Sequence, residues 1–312
     1  MRNALLVTAL SLPIILSCQA EYSTERITIR SIGSGVNHLD LLAFRQGDGI
    51  LATRERIGAG ESTFTIGAGK DYNLYLFANA PGGLLDDVLY EEDLANTYLR
   101  LEDDTPACPV LFGTAHLGAG QYDSPIDFIL TKYLSKVTLG NVAVKWLDEY
   151  DLIPACTISK IALMSAAGSI PLVGGPSADG TWYNCGSIDS SLPDDISGKI
   201  LLSSPVNVTG SSAIPMNLSF YAMPNPLGGD GWGLPWSPRR TRLALELTID
   251  GIPNWYPIDI PPMECGCEYL ISDLVITGPG SSNPDEKILR SKIELNVEVK
   301  PWETATITME FN

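Results

Sequence analysis

The chain has 312 residues, with 37 acidic against 20 basic side chains and a formal net charge of −17. A nucleic-acid binder concentrates Lys and Arg against the phosphate backbone, so this balance excludes nucleic acid as a partner and favours a soluble, self-repelling surface. The length suffices for two domains of common size, and 29 glycines and 22 prolines, set between short apolar runs, give the look of many strands and turns.

Arg2 supplies a basic start, and residues 4–16 form an apolar run broken only by small polar residues and Pro13. The run is too short for a membrane-spanning helix, which needs about 20 residues, and fits the hydrophobic region of an export signal. Leu16-Ser17-Cys18 resembles the lipobox of bacterial lipoproteins. That resemblance implies a signal peptide over 1–17 and a lipid on Cys18 as the mature first residue, the chain's only anchor. Several acyl chains on one residue hold a protein durably where one is marginal. Gln19, where inner-membrane lipoproteins carry Asp, points to the outer membrane.

Arg26-Ile27-Thr28-Ile29-Arg30 alternates polar and apolar, the period of a half-buried strand. A glycine-bearing link leads to a second strand over 38–44, and Gln46-Gly47-Asp48-Gly49 has hairpin-turn chemistry. Residues 62–66 give a short strand, and 72–81 a longer one that stops at Pro81. Residues 84–100 are acidic and loosely helical, suited to cover one edge of a sheet. Runs at 109–113 and 126–130 complete a first β unit.

The pattern restarts near Thr131, with strands at 135–144 and 158–164. Residues 165–197, rich in Gly, Ser, Asp and Pro, read as an elaborate loop around Trp182-Tyr183-Asn184-Cys185. Strands return at 200–202, 217–222 and 242–249; Asp250-Gly251 turns the chain into 255–258, and 269–277 ends in Gly278-Pro279-Gly280. The last two runs alternate most cleanly. Ile293, Leu295, Val297 and Val299 interleave with charged and polar residues, and after Pro301-Trp302 so do Ala305, Ile307, Met309 and Phe311. Short strands at regular spacing predict an all-β chain of sandwich domains.

Little in the chain points to catalysis. His38 and His116 are its two histidines, and nucleophile elbows, zinc-protease motifs and phosphate loops are missing. The carboxylates of Asp86-Asp87, Glu91-Glu92-Asp93 and Glu102-Asp103-Asp104 read as solvated faces. Cys108, Cys156, Cys185, Cys265 and Cys267 read as small buried hydrophobes, with Cys156 and Cys185 the pair to consider for a bridge. No metal or cofactor is expected. Trp232 and Trp236, in a Gly-rich loop beside Asp230, leave open a second reading, a surface lipoprotein that stacks its aromatics on glycans.

Residues 274–285, Leu-Val-Ile-Thr-Gly-Pro-Gly-Ser-Ser-Asn-Pro-Asp, resemble a segment of the Bacteroidales fimbrillins, the type V pilins. In that family a strand ends in a Thr-Gly-Pro-Gly-like turn with Asn-Pro shortly after, and alternating strands with a tryptophan follow, as Trp302 does here. Residues 72–81 are similar to the fimbrillin strand that ends in Ala-Asn. The resemblance implies two transthyretin-like β-sandwich domains in tandem, here 18–126 and 127–312, with their boundary near Asp127. It further implies export as a lipoprotein, removal of the N-terminal strand by an Arg-specific protease, and filling of the vacated groove by the C-terminal strand of another subunit. Ile27 and Ile29 would be the inward residues of the displaced strand. Ala305, Ile307, Met309 and Phe311 would be those of the donor strand, and the partners would be other pilin subunits, the outer membrane and a host or glycan ligand.

The link between the first two strands is short, and Arg30 is its nearest cleavage site; Arg26 and Arg45 lie within or beyond strands. An uncut Arg30 would leave the lipid in place and make the chain a basal anchor rather than a stalk subunit. The alternative for the tail is that it completes its own domain's sheet.

Overall fold

Period-two alternation punctuated by turn residues dictates strands, and strands take 55% of the structure against 5% helix. The computed structural model of the protein describes residues 24–29, 35–58, 63–67, 69–121, 125–145, 156–175, 180–202, 204–208, 210–229, 240–286, 293–302 and 305–311. For 24–29, Thr63 and 305–311 apart from Ile307 the description is of the backbone.

The N-terminal half contributes β1 (Thr24–Ile29), β2 (His38–Arg45), β3 (Leu51–Gly58), β4 (Thr63–Gly67), β5 (Tyr72–Ala78), β6 (Tyr98–Arg100), β7 (Leu111–Leu117) and β8 (Ile126–Lys132). Strand β2 is buried on both faces, which is why its sequence is apolar without strict alternation. Leu39, Leu41 and Ala43 enter one core with Phe64, Ile66, Leu74, Leu76, Phe128 and Leu130. Leu42 and Phe44, on the other face, join a second core that continues into the C-terminal half. Between them Asp40, 4% exposed, is gripped by Arg56 directly opposite on β3, at 2.6 and 2.9 Å.

The expected helical character of residues 84–100 reduces to one 3-10 turn, Glu91–Ala95. The acidic cluster there is structural: Glu91 accepts hydrogen bonds from Asn73 and Tyr75, and Asp93 from the backbone N–H groups of Leu89 and Tyr90. Those two backbone bonds hold the Asp93 carboxyl below the usual range. Asp104 is fully buried, against the expectation of a solvated face.

The C-terminal half adds β9 (Ser135–Val144), β10 (Cys156–Met164), β11 (Ala166–Ala167), β12 (Ser169–Pro171), β13 (Trp182–Tyr183), α1 (Asp194–Ile200), β14 (Leu201–Leu202), β15 (Val206–Val208), β16 (Ile214–Ala222), β17 (Arg242–Ile249), β18 (Ile252–Asp259), β19 (Cys267–Ile276), β20 (Ile293–Pro301) and β21 (Ala305–Phe311). One sheet runs β16-β9-β19-β20, with β9 and β19 parallel; the facing sheet runs β14-β10-β17-β18, with β15 also on β10. Their inner residues, among them Val137, Leu139, Ile161, Leu245, Tyr256, Tyr269 and Ile271, form the body of the second core. Cys156 is a buried thiol outside any disulfide, so the bridge considered to Cys185 does not form. Burial in the core raises the Cys156 thiol to about 11.

The boundary expected near Asp127 falls inside β8, which hydrogen-bonds into the N-terminal sheet, and the first strand of the C-terminal sheets starts at Ser135. The short pair of β6 with β12 ties the two halves together.

Candidate functional site

The last strand of the chain does not stay with the half that precedes it. Strand β20 is an edge of the C-terminal sheet, but β21 crosses to the N-terminal sheet, whose order is β3-β2-β5-β7-β8-β21-β1-β4. The crossing is fixed at Trp302. Its backbone N–H donates to Gly266 O at 2.6 Å, Lys132 Nζ lies 4.1 Å from the centre of its ring, and Tyr221 packs at 5.7 Å. Gly266 sits at φ 63°, and a Cβ there would meet Thr131 Cγ2 at 2.8 Å, so the turn that receives Trp302 requires glycine.

On one side β21 pairs antiparallel with β8: Ala305 opposes Leu130, Ile307 opposes Phe128 and Met309 opposes Ile126. On the other it pairs with β1, Phe311 opposite Ile27 and Met309 opposite Ile29. Directly opposed residues share a sheet face, so positions 27, 29, 305, 309 and 311 lie on the face that Ile307 turns to the core. Ile307 is 0% exposed and packs in the first core with Phe128 and Leu130. Burial of such a side chain stabilises by roughly 1.5–3 kcal/mol. Strand β1 is held in turn by β4, with Ile27 opposite Phe64 and Glu25 opposite Ile66.

The six alternating positions read from the sequence are thus brought together in one sheet, and the tail does not complete the sheet of its own C-terminal half, the alternative considered for it, but joins the N-terminal sheet of the same chain. The sequence reading placed strands at 62–66 and 126–130 but not their neighbours: β8, with Phe128 and Leu130, receives the tail, and β4, with Phe64 and Ile66, borders β1. Both runs carry the period-two signal, but nothing local says which strand they border. Cys18, Arg30, Trp232 and Trp236 lie outside the described residues. His38 bonds Ala80 O at 2.9 Å and His116 bonds Asn73 Oδ1 at 3.3 Å, each a local structural contact. Among the described residues no group of three or more His, Cys, Asp or Glu side chains is placed to hold a metal ion, and no helix is long and apolar enough to cross a membrane.

No protein-family profile matches the chain, and no curated protein matches it in sequence. Its fold matches solved structures. A protein described as a cell adhesion protein from Bacteroides eggerthii superposes with a TM-score of 0.62 at 20% identity, covering 86% of this chain and 89% of that one. A fimbrilin from Porphyromonas gingivalis gives 0.58 at 14% identity, covering 88% and 96%. A tip fimbrial protein from the same organism gives 0.51 at 13% identity, covering 90% and 100%. The chain therefore has the all-β sandwich fold of these Bacteroidales fimbrillins and adhesion proteins.

Proposed function

We propose that this chain is a structural subunit, stalk or anchor, of a surface fimbria, exported as a lipoprotein through Cys18 and assembled by β-strand exchange. It works as a building block and not as an enzyme. Two sandwich domains divide it, with the boundary moved from Asp127 to the link between β8 and β9.

The observation that carries the proposal is the place of β21 between β8 and β1. Two ladders hold the tail, one from each neighbour. Cleavage after Arg30 would remove β1, leaving β21 on β8 alone and opening the inner edge of β4. A strand with one ladder is exchangeable, because the same register and the same core contacts are available to the β21 of a second subunit. Backbone bonds would supply affinity and the alternate apolar positions would fix register. The short link after Trp302 would then span two subunits instead of one. Fimbrial assembly also gives a use to an apolar strand at the end of a chain, which is an aggregation hazard when left at an open edge. The surface location, at the outer membrane before cleavage and in the fibre after it, follows from the lipid on Cys18.

Mass spectrometry of the N-terminus, on protein from cells and from sheared surface fibres, tests the proposal. Fibres whose chains begin at Ser31 without lipid support a cleaved stalk subunit. A lipidated Cys18 at the base of fibres supports an anchor. Absence of the chain from fibres in both fractions overturns the reading.

A further inference from the structure

Strand exchange asks more of the end of the chain than a matching register. Residues 303 and 304 alone separate Trp302 from Ala305, so Ala305 stays within about 11 Å of Trp302 whatever path the chain takes. Trp302 in turn is seated beside its own β8. Its N–H donates to Gly266 O at 2.6 Å, and Gly266 lies so close to Thr131 that a Cβ would stand 2.8 Å from Thr131 Cγ2. Lys132 Nζ at 4.1 Å and Lys136 Nζ at 5.9 Å bring two cations to the indole ring, and Glu268 fixes Lys136 at 3.1 Å. Tyr221 packs on the ring from β16. With Trp302 seated, β21 reaches the β8 of its own chain. A second subunit's β8 comes within reach only if two whole N-terminal sheets crowd around one junction.

The stretch before Trp302 is weakly held. Ile293, Leu295 and Val297 pack on the second core, but Glu298, Val299, Lys300 and Pro301 are all exposed, and Trp302 is the next side chain to pack there. Those four exposed residues pair with Leu270, Tyr269, Glu268 and Cys267 of β19. Because β20 is an edge, they have no ladder on their other side, and Pro301 has no N–H to donate. The pair of Lys300 with Glu268, at 3.4 Å, is partly exposed on the lysine side and adds little.

We infer that Trp302 is a releasable clip that controls the exchange of β21, an inference that rests on the strand-exchange reading and deepens it. While the indole is seated, the tail is confined to its own chain. When it leaves, residues 298–301 peel from the sheet edge, and the tether from Val297 to Ala305 lengthens to about 28 Å, enough to join two subunits. Until then the clip keeps the apolar β21 in its own sheet, where β8 and β1 each hold it by a ladder. Trp302 is thus a positioning residue for assembly, separate from the groove that receives the strand.

Hydrogen–deuterium exchange on the full mature chain tests the clip before any assembly. Trp302→Ala removes the ring and keeps the N–H. The amides of 298–300 should then exchange roughly tenfold faster, the weight of a lost cation–π and aromatic contact, while those of 293–297 keep their rate. Unchanged rates at 298–300 overturn the inference. The assembly arm uses chains cut after Arg30. Pro301→Cys lies directly opposite Cys267, within disulfide reach for an antiparallel pair, and Cys265→Ala alongside it leaves one neighbouring thiol. Oxidation should pin the end of β20 and stop fibre growth, reductant should restore it, and Trp302→Ala should speed it. Growth that ignores the closed disulfide overturns the clip and leaves strand exchange standing, whereas a parent chain that forms no fibres overturns both.

Discussion

Arg242 and Asp285 form an ion pair at 2.9 Å with side chains only 2% and 7% exposed, which ties the open end of the β17–β18 hairpin to the loop between β19 and β20. Asp259 holds the Nε of the same guanidinium at 2.8 Å and Arg240 at 2.8 Å. Removing one partner of a buried pair leaves an under-compensated charge and costs about 3–5 kcal/mol. Because Asp259 remains, Asp285→Ala should cost about 3 kcal/mol in urea unfolding. Glu102→Gln, which breaks the exposed Arg100–Glu102 pair at 3.2 Å, should cost no more than about 1 kcal/mol. Equal losses in the two variants would show that burial of the Arg242 network contributes nothing.

The same loop carries the Thr-Gly-Pro-Gly turn, and its geometry explains the glycine at 280. Ser281 and Trp255 exchange backbone hydrogen bonds of 2.7 and 2.8 Å, and Tyr256 Oη donates to Gly278 O at 3.0 Å. This brings the turn so close to β18 that a Cβ on Gly280 would stand 2.5 Å from Trp255 O. Gly280→Ala should therefore destabilise by about 1–3 kcal/mol through forced backbone movement. Gly229→Ala, where a Cβ has open space, is the control and should be near neutral in the same denaturation series.

Sequence pattern made some of this legible and not the rest, for physical reasons. Strands β20 and β21 were readable because each has one apolar face and one polar face, and period two survives in the letters. Strand β3 was not, because Arg54, Glu55 and Arg56 break the pattern; the structure places Arg56 opposite Asp40, and Arg54 donates to the backbone carbonyls of Asp86 and Val88. Helix α1 was missed because seven residues after Pro193 are too few to show a 3.6 period. The destination of β21 was beyond reach for another reason: Ala305 meets Leu130, and a pairing across so long a stretch of chain leaves no local trace. The loop around β13 was half legible, since the Trp-Tyr-Asn-Cys run stood out but the bonds that hold it come from Leu163 and Ser165.

Asp104 should give the protein a pH dependence. Burial pushes its carboxyl up to about 7, against which the Val110 N–H, at 2.9 Å from Oδ1, and Lys199 of α1 work; Tyr133 is the other titratable group nearby. The unfolded chain gives up this proton near 3.8 while the fold keeps it until about 7. Stability is therefore full below about pH 4, falls as pH rises to about 7, and levels off beyond. The loss is on the order of 4 kcal/mol at about 1.4 kcal/mol for each pH unit. Asp104→Asn keeps the acceptor for Val110 and removes the titration, so its urea midpoint should shift far less between pH 5 and pH 8 than the parent's. Identical shifts would remove Asp104 as the source.

The register of β21 permits a direct trap of strand exchange. Thr306 lies opposite Ile129 on β8, and Ile129 is 65% exposed, so it faces away from the core. Opposed Cβ atoms in an antiparallel pair lie about 4.5–5.5 Å apart, and a disulfide closes with small backbone movement to about 3.5–4.5 Å. Ile129→Cys/Thr306→Cys should oxidise within one chain when β21 completes its own sheet, giving a locked monomer on a non-reducing gel that assembles poorly after β1 is removed. The same variant assembled under reducing conditions and then oxidised should instead link successive chains into a ladder resistant to detergent, because each β21 now lies beside the β8 of its neighbour. A ladder from the soluble monomer, or intrachain bonds alone from the fibre, would contradict exchange of this strand. Ile307→Asp separates the register from the burial that drives it: placing a charge at a fully buried position should cost several kcal/mol in the monomer and stop fibre growth in mixtures with the parent chain.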